Sequence, residues 1–504
     1  MKSNILYLTI YLASSLGLLL SSCGDFLEKD PDQRARLDSP KSVSLLLVSA
    51  YPSYSSAQFA EVMSDNVADN RNWYGGQEIR SVDEAFWWKD ISDENQDTPS
   101  GFWSACYEAI ATANHALDFI DSRPENERAS YNAQYGEALL CRAYSHFRLI
   151  TLFAKPYNPA TASSDLGIPY VTKPEKVVFG DYQRESVATV YDLMQKDIEQ
   201  GIPLLDESSY VVLKYHFNTI AANAFASKFY LFKQDWTKAV AHASEALGTN
   251  PTSILRPSNG ARYTGLSTDE FELTYASSKE ACNLLMVEAL SNWSRFASHR
   301  WVHTKSVSDI IYGGTATGGS YALKPNLTYQ GFNDLSFMPK YYEMFKKESL
   351  GDNTGHPYIG DMLLLGEEVI LNRAEAYAML GQLDLAIADL NTFYSQKITN
   401  YSGSNILTQA KINSYVPAIP DVLSPYGYAL TGDALNIVKV VVDSRRKEFI
   451  HEGHRWYDIT RFNIEITHMT FDKRESSVLK KDDLRRVLQI PQTAIVTGLE
   501  PNPR

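Results

Sequence analysis

A mainly all-α fold, made of tetratricopeptide-like helical pairs with long irregular insertions between them, is predicted by three observations. Apolar residues recur at helical spacing in several stretches, and two of these stretches match each other at a fixed offset. The segments between them are rich in Gly, Ser, Thr, Asn, Pro and Tyr and carry no period of their own.

The helical spacing is clearest in Leu140, Ala143, Phe147 and Ile150, then in Ile220, Ala224, Ser227 and Leu231, and again in Ile370, Ala374, Tyr377 and Leu380. Tyr230 with Asp235-Trp236-Thr237-Lys238-Ala239 aligns, 147 residues on, with Tyr377 and Gln382-Leu383-Asp384-Leu385-Ala386. Each reads as a helix-turn-helix in which small residues (Ala224, Ala239, Ala243; Ala374, Ala386) let two helices approach closely while the tyrosine fills the gap. Units are expected near 104–155, 186–248, 366–394 and 435–462, too irregularly spaced for a continuous solenoid. The insertions 251–360 and 395–433 hold many aromatic residues and few charge runs, so they are expected to be ordered and packed on the helices.

Ahead of this domain the chain begins with Lys2, an apolar stretch from Ile5 to Leu20, and Leu20-Ser21-Ser22-Cys23. So short a run with a basic residue before it and small residues at its end reads as a cleaved secretory signal. The tetrapeptide resembles the lipobox of bacterial lipoproteins, which makes Cys23 the first mature residue and the site of lipidation. Several acyl chains hold a protein stably on a bilayer where one is marginal. The expected organisation is a signal peptide over 1–22, a polar flexible tether over 23–40 and a helical domain over 41–504.

The net charge of −13, which becomes −14 once Lys2 is lost, argues against nucleic acid as a partner, since a basic stripe is the footprint of that role. Cys106, Cys141 and Cys282 remain, an odd number in an oxidising compartment; they read as buried small apolar side chains, with a single Cys106–Cys141 bridge as the alternative. His451-Glu452-Gly453-His454 has its histidines three apart rather than four, with a Gly between them, so no metal site is expected there. Gly313 to Gly319 lacks the Gly-Lys-Ser/Thr ending of a phosphate cradle and reads as a turning loop. Asp65, Asn66, Asp69 and Asn70 follow no EF-hand pattern, which favours turn or capping duty over calcium. No nucleophile-plus-base set stands out; no catalytic residue, cofactor or metal is assigned, and an enzyme is not expected.

A series of motifs, in order, resembles the SusD/RagB family of outer-membrane lipoproteins over nearly the whole mature chain. They are Trp103 with Tyr107 and Ala113-Asn114; Arg142-Ala143-Tyr144 through Phe147 to Pro156-Tyr157; Gly167-Ile168-Pro169-Tyr170; and Arg184-Glu185-Ser186-Val187 leading to Tyr191 and Asp197. Then come Glu367-Glu368-Val369 leading to Arg373-Ala374-Glu375-Ala376, Arg445-Arg446-Lys447-Glu448-Phe449, Glu452 to Asp458, Ile490-Pro491 and Pro501-Asn502-Pro503. The resemblance implies a helical fold with the irregular insertions forming most of the ligand side. It also implies an extracellular-facing lid over a SusC-like TonB-dependent barrel transporter, capturing oligosaccharide or, in a RagB-like branch, peptide. A third reading is a lid that only gates its transporter. In this family Arg445, Arg446, Glu448, Glu452 and Arg455 are expected to form an ion network locking the last helix.

Flat rings suit the apolar C–H faces of sugars, so exposed aromatics are the binding candidates. Trp73 and Tyr74 lie in a polar, Gly-containing stretch before the first helical pair; Trp293, Trp301, Tyr312, Tyr321 and Tyr329 lie in the long insertion. Trp103, Trp236 and Trp456 are expected in the core, and Trp87 and Trp88 are left undecided.

Overall fold

The computed structural model describes residues 37–70, 79–175, 180, 182–325, 334–347, 349, 351 and 353–504, without the side chains of 296–298. It is about 51% helical, with a few small sheets, as the periodicity predicts. The main helices are α1 (Pro40–Leu47), α2 (Ala57–Val62), α3 (Arg80–Phe86), α4 (Pro99–Asp121), α5 (Asn132–Phe153), α6 (Val187–Gly201), α7 (Thr219–Lys233), α8 (Trp236–Leu247), α9 (Gly366–Met379), α10 (Leu383–Ser395), α11 (Gly432–Glu448) and α12 (His454–Arg461). No helix among the described residues is long and apolar enough to cross a membrane.

The longer helices begin where side chains satisfy their first free N–H groups. Thr98 accepts from Gly101 N with Pro99 in the first turn of α4; Ser186 caps α6, and Asn218 caps α7. The turn between α7 and α8 matches that between α9 and α10 in its backbone hydrogen bonds. Asp235 N donates to Tyr230 O at 2.9 Å, and 147 residues later Gln382 N donates to Tyr377 O at 2.9 Å. Both turns pivot on a left-handed residue, Gln234 at φ 66° and Gly381 at φ 72°. Ala224, Ala239, Ala243, Ala374 and Ala386 are buried at the close helix contacts, whereas Ile220 and Leu380, at the ends of their periods, are exposed.

The helices pack as α4 on α5, α5 on α6, α7 on α8, α8 on α9, α9 on α10 and α9 on α11. The contact of α8 with α9 is made although the 251–360 insertion lies between them. The insertion leaves and returns at one place, because Ile254 runs so close to Gly366 that a Cβ there would lie 1.8 Å from the Ile254 carbonyl oxygen.

Inside that insertion is an antiparallel sheet in the order β2 (Asn283–Leu290), β5 (Gly355–Leu365), β4 (Met344–Lys347), with Met286 opposite Met362. The periodicity does not reveal it, since Leu284 to Val287 and Met362 to Leu365 are buried continuous apolar runs without alternation. Two further strand pairs are β1 (Ala68–Asp69) with β3 (Trp301–Val302) and the hairpin β6 (Ile466–Met469) with β7 (Ser476–Leu479).

The charged stretch after Arg445 locks the C-terminal helices by reaching outward rather than by pairing within itself. Arg445 pairs with Glu375 and lies 3.4 Å from Asp458; Arg455 makes bidentate pairs with Asp65 and Asp421, and Arg446 reaches Asp65 and Asn66. Glu448 meets Lys397, and Glu452 meets Lys340. Burial opposes the charge on Asp65, but Arg446 and Arg455 outweigh it and hold its carboxyl well below the usual range. Buried Glu61 accepts from the backbone N–H groups of His451 at 2.8 Å and Gly453 at 3.1 Å, pinning the turn that contains both histidines. Cys106, Cys141 and Cys282 are free and buried, so the bridged alternative is not the one seen.

Candidate functional site

The sequence places binding aromatics mainly in the long insertion, and the structure gives most of those it describes another task. Trp293 is buried and donates its indole N–H to His451 O at 2.6 Å; half-buried Tyr312 donates to Lys447 O at 2.6 Å; buried Tyr321 donates to Glu448. All three fasten the insertion to the end of α11 or the turn after it, because each ring's polar atom must find a partner when packed on the helices. Trp301 is also interior, at 2% exposure. Trp293, Trp301 and Tyr321 do not present a free stacking face. Trp73, Tyr74, Tyr329 and Cys23 lie outside the described residues. Trp103 and Trp456 are in the core, as expected, while Trp236 is half-buried edge-on to Tyr428.

A better candidate is the surface around α3, β1 and β3, the described flanks of the segment containing Trp73 and Tyr74. Pairing of β1 with β3 sets Asp69 opposite Trp301. Arg300 then donates to both Asp69 oxygens, at 3.2 and 3.0 Å, and covers the Trp301 ring at 4.3 Å. Beneath, Trp301 stacks on Phe86 with centroids 3.8 Å apart and planes 8° apart, and its N–H points to Asp83 at 3.3 Å. Half-buried Trp87 stands edge-on to both rings, 4.9 Å from Phe86 and 5.6 Å from Trp301. Phe471, 55% exposed at the turn of the β6–β7 hairpin, has its N–H on Asp69 at 3.1 Å.

The side of this surface is set by the Trp87-Trp88 pair. Trp88 adopts φ 51° and turns inward to donate to Met63 O at 2.8 Å, leaving Trp87 outermost. Asp69 spends its oxygens on Arg300 and the Phe471 N–H, so it is an orienting group rather than a base in waiting. What remains is one partly open indole, an exposed phenyl ring and an arginine side chain 31% exposed, which suit the C–H faces and hydroxyls of a sugar. Of the four acidic and amide residues weighed for calcium, Asp65 and Asp69 hold arginines, Asn66 bridges Glu61 and Arg446, and Asn70 accepts from Asp334 N.

An open groove of about 820 Å³ lies elsewhere, between α1, α4 and β2, lined by Leu45, Val48, Glu108, Val211 and Tyr358 among others. A second cleft of about 400 Å³ holds Trp103, Tyr107 and Tyr182.

Comparison with known proteins decides the family. The family described as starch-binding and associating with the outer membrane matches residues 25–231, and the SusD family matches residues 367–494. The chain belongs to the SusD/RagB family. SusD-like protein P38 of Formosa agariphila is 23% identical over 93% of each chain, and SusD-like protein P2 of the same organism 21% identical over 72% of each. A SusD superfamily protein of Bacteroides thetaiotaomicron superposes over 93% of this chain and 100% of its own, with a TM-score of 0.64 at 18% identity. A laminarin-binding SusD-like protein gives 0.57 at 16% identity, over 93% of this chain and 100% of its own. SusD-like proteins bind carbohydrate and are not catalysts.

Proposed function

We propose that the chain is a cell-surface lipoprotein, anchored through Cys23, that captures oligosaccharide for a SusC-like TonB-dependent transporter in the outer membrane and acts as its lid. The observation that carries the ligand class is the outward Trp87 beside Arg300, Asp69 and Phe471, in a family that binds carbohydrate. A related fold binds laminarin, which makes soluble glucans the first ligands to try. The outer-membrane association printed for the family supports the lid role and the transporter partner, and Leu20 to Cys23 supports the lipid anchor.

The test is a polysaccharide panel probed with the soluble domain and its Trp87→Ala form. Retention of one or more polysaccharides by the parent, weakened at least about tenfold in the variant, is expected for loss of a stacking ring. Retention of a peptide pool instead of any polysaccharide would overturn this reading in favour of peptide capture.

A further inference from the structure

Behind the Trp87 surface four flat rings form a column. Trp301 lies on Phe86 at 3.8 Å, Phe86 on His468 at 4.1 Å and His468 on Trp88 at 4.3 Å, all within 21° of parallel from one ring to the next. Arg300 covers one end, and Arg485 stands 5.7 Å from the Trp88 ring at the other. His468 is 2% exposed and belongs to β6, the hairpin that also carries Phe471.

The partners of His468 are unusual for an imidazole. Its Nδ1 lies 2.5 Å from Phe86 O and its Nε2 2.9 Å from Ser64 O. Backbone carbonyls only accept, and a neutral imidazole has one N–H to give. Both contacts are hydrogen bonds only when the ring is doubly protonated; otherwise one nitrogen lone pair faces a carbonyl lone pair. The Phe86 carbonyl belongs to the peptide that leads into Trp87, whose N–H donates to Asp83 O at 3.1 Å.

We propose that His468 is the positioning residue of the Trp87 platform, bridging the Phe86 and Ser64 carbonyls as an imidazolium and releasing one of them, with the Phe86–Trp87 peptide, when it loses a proton. This rests on the carbohydrate reading of that surface. The charged groups around the ring come from every element packed on it. Asp65, next to Ser64, is the nearest counter-charge and is shared with Arg446 and Arg455. On the Trp301 side stand Arg300 with Asp69 and Asp83 with Lys89; on the Trp88 side stands Arg485 with Asp483; the hairpin's own turn adds Asp472, Lys473, Arg474 and Glu475. Burial pulls the ring's proton affinity below the ordinary histidine range, while the two carbonyls and Asp65 push it back up. The exchange therefore falls below neutral pH, and acidification locks the platform.

The experiment uses the soluble chain labelled with ¹⁵N-histidine and ¹⁵N-tryptophan, taken from about pH 8 to about pH 5, with the Trp87 indole assigned through Trp87→Phe. Both His468 ring nitrogens are expected to become N–H nitrogens on acidification, and the Trp87 indole resonance to shift with the same midpoint. In His468→Gln that Trp87 shift is lost. A His468 ring that stays a single neutral tautomer down to about pH 5, or one that titrates while Trp87 stays still, overturns the proposal. Neither readout involves a sugar, so failure of the polysaccharide panel and failure of this proposal are told apart.

Discussion

Replacing Asp97 by Asn should make the protein more stable at alkaline pH while leaving it unchanged in acid. Asp97 is buried at the start of α4, where Ser291 donates to one carboxyl oxygen at 2.5 Å and Asn292 N to the other at 2.6 Å. Burial outweighs these two donors, the neighbouring Asp361 carboxylate adds to it, and the Asp97 carboxyl is pushed up to about 7 from an ordinary 3.8. The folded form therefore binds the proton more tightly than the unfolded one. Stability that is full below the unfolded value is lost as pH rises through the interval to about 7. Roughly three pH units at about 1.4 kcal/mol each set an upper bound of about 4 kcal/mol. Asparagine keeps an acceptor for Asn292 N, offers Ser291 Oγ an N–H, and tolerates the left-handed backbone at φ 63°. Urea unfolding of both proteins followed by tryptophan fluorescence should give equal stabilities at about pH 4 and an advantage to Asp97→Asn of up to about 4 kcal/mol at about pH 8. Glu61, also pushed up to about 7 by burial, titrates equally in both and cancels. A difference between the two proteins that does not change with pH would refute the reasoning.

Arg455→Met should cost about 3–5 kcal/mol in the same unfolding assay, because it leaves the buried Asp421 and half-buried Asp65 carboxylates without their bidentate partner; a loss below about 1 kcal/mol would mean that Arg446 alone suffices. Gly381→Gln should cost about 1–2 kcal/mol in thermal or urea unfolding, since φ is 72° and no atom lies within 4 Å of the added Cβ, so the cost is backbone strain alone. Trp87→Ala should leave the melting temperature within a few degrees while weakening polysaccharide retention, whereas Trp293→Ala should cost about 3–5 kcal/mol in unfolding, as expected of a buried ring. Cys23→Ser in cells fed a labelled fatty acid should abolish label incorporation and release the protein from the membrane fraction; undiminished label would place the anchor elsewhere.

The helical pairs were legible because packing imposes the same demand twice. A left-handed turn and a tyrosine carbonyl that accepts across it recur at Tyr230 and Tyr377, and the small residues repeat with them. The β2–β5–β4 sheet was not, since Leu284 to Val287 and Met362 to Leu365 are buried without a break and have no alternation to read. The candidate surface was half legible. An adjacent Trp87-Trp88 pair signals that one ring faces in and the other out, but which does so depends on the Trp88 backbone and on Met63 O, 25 residues away in sequence. Arg300, Asp69 and Phe471 come together only through a strand pair and a hairpin distant along the chain. Aromatic richness in the insertion has a structural reason: Trp293, Tyr312 and Tyr321 each carry one polar atom, and the end of α11 with the turn after it offers backbone and carboxylate acceptors to all three.

The approach of Ile254 to Gly366 makes the intervening segment a cassette with a single doorway. Changes of length inside that segment leave α8 against α9 so long as they spare the doorway and the anchors at Trp293, Tyr312, Tyr321 and Lys340. The helical frame is thereby insulated from insertions and deletions at the turns between those anchors, which are the changes this architecture absorbs.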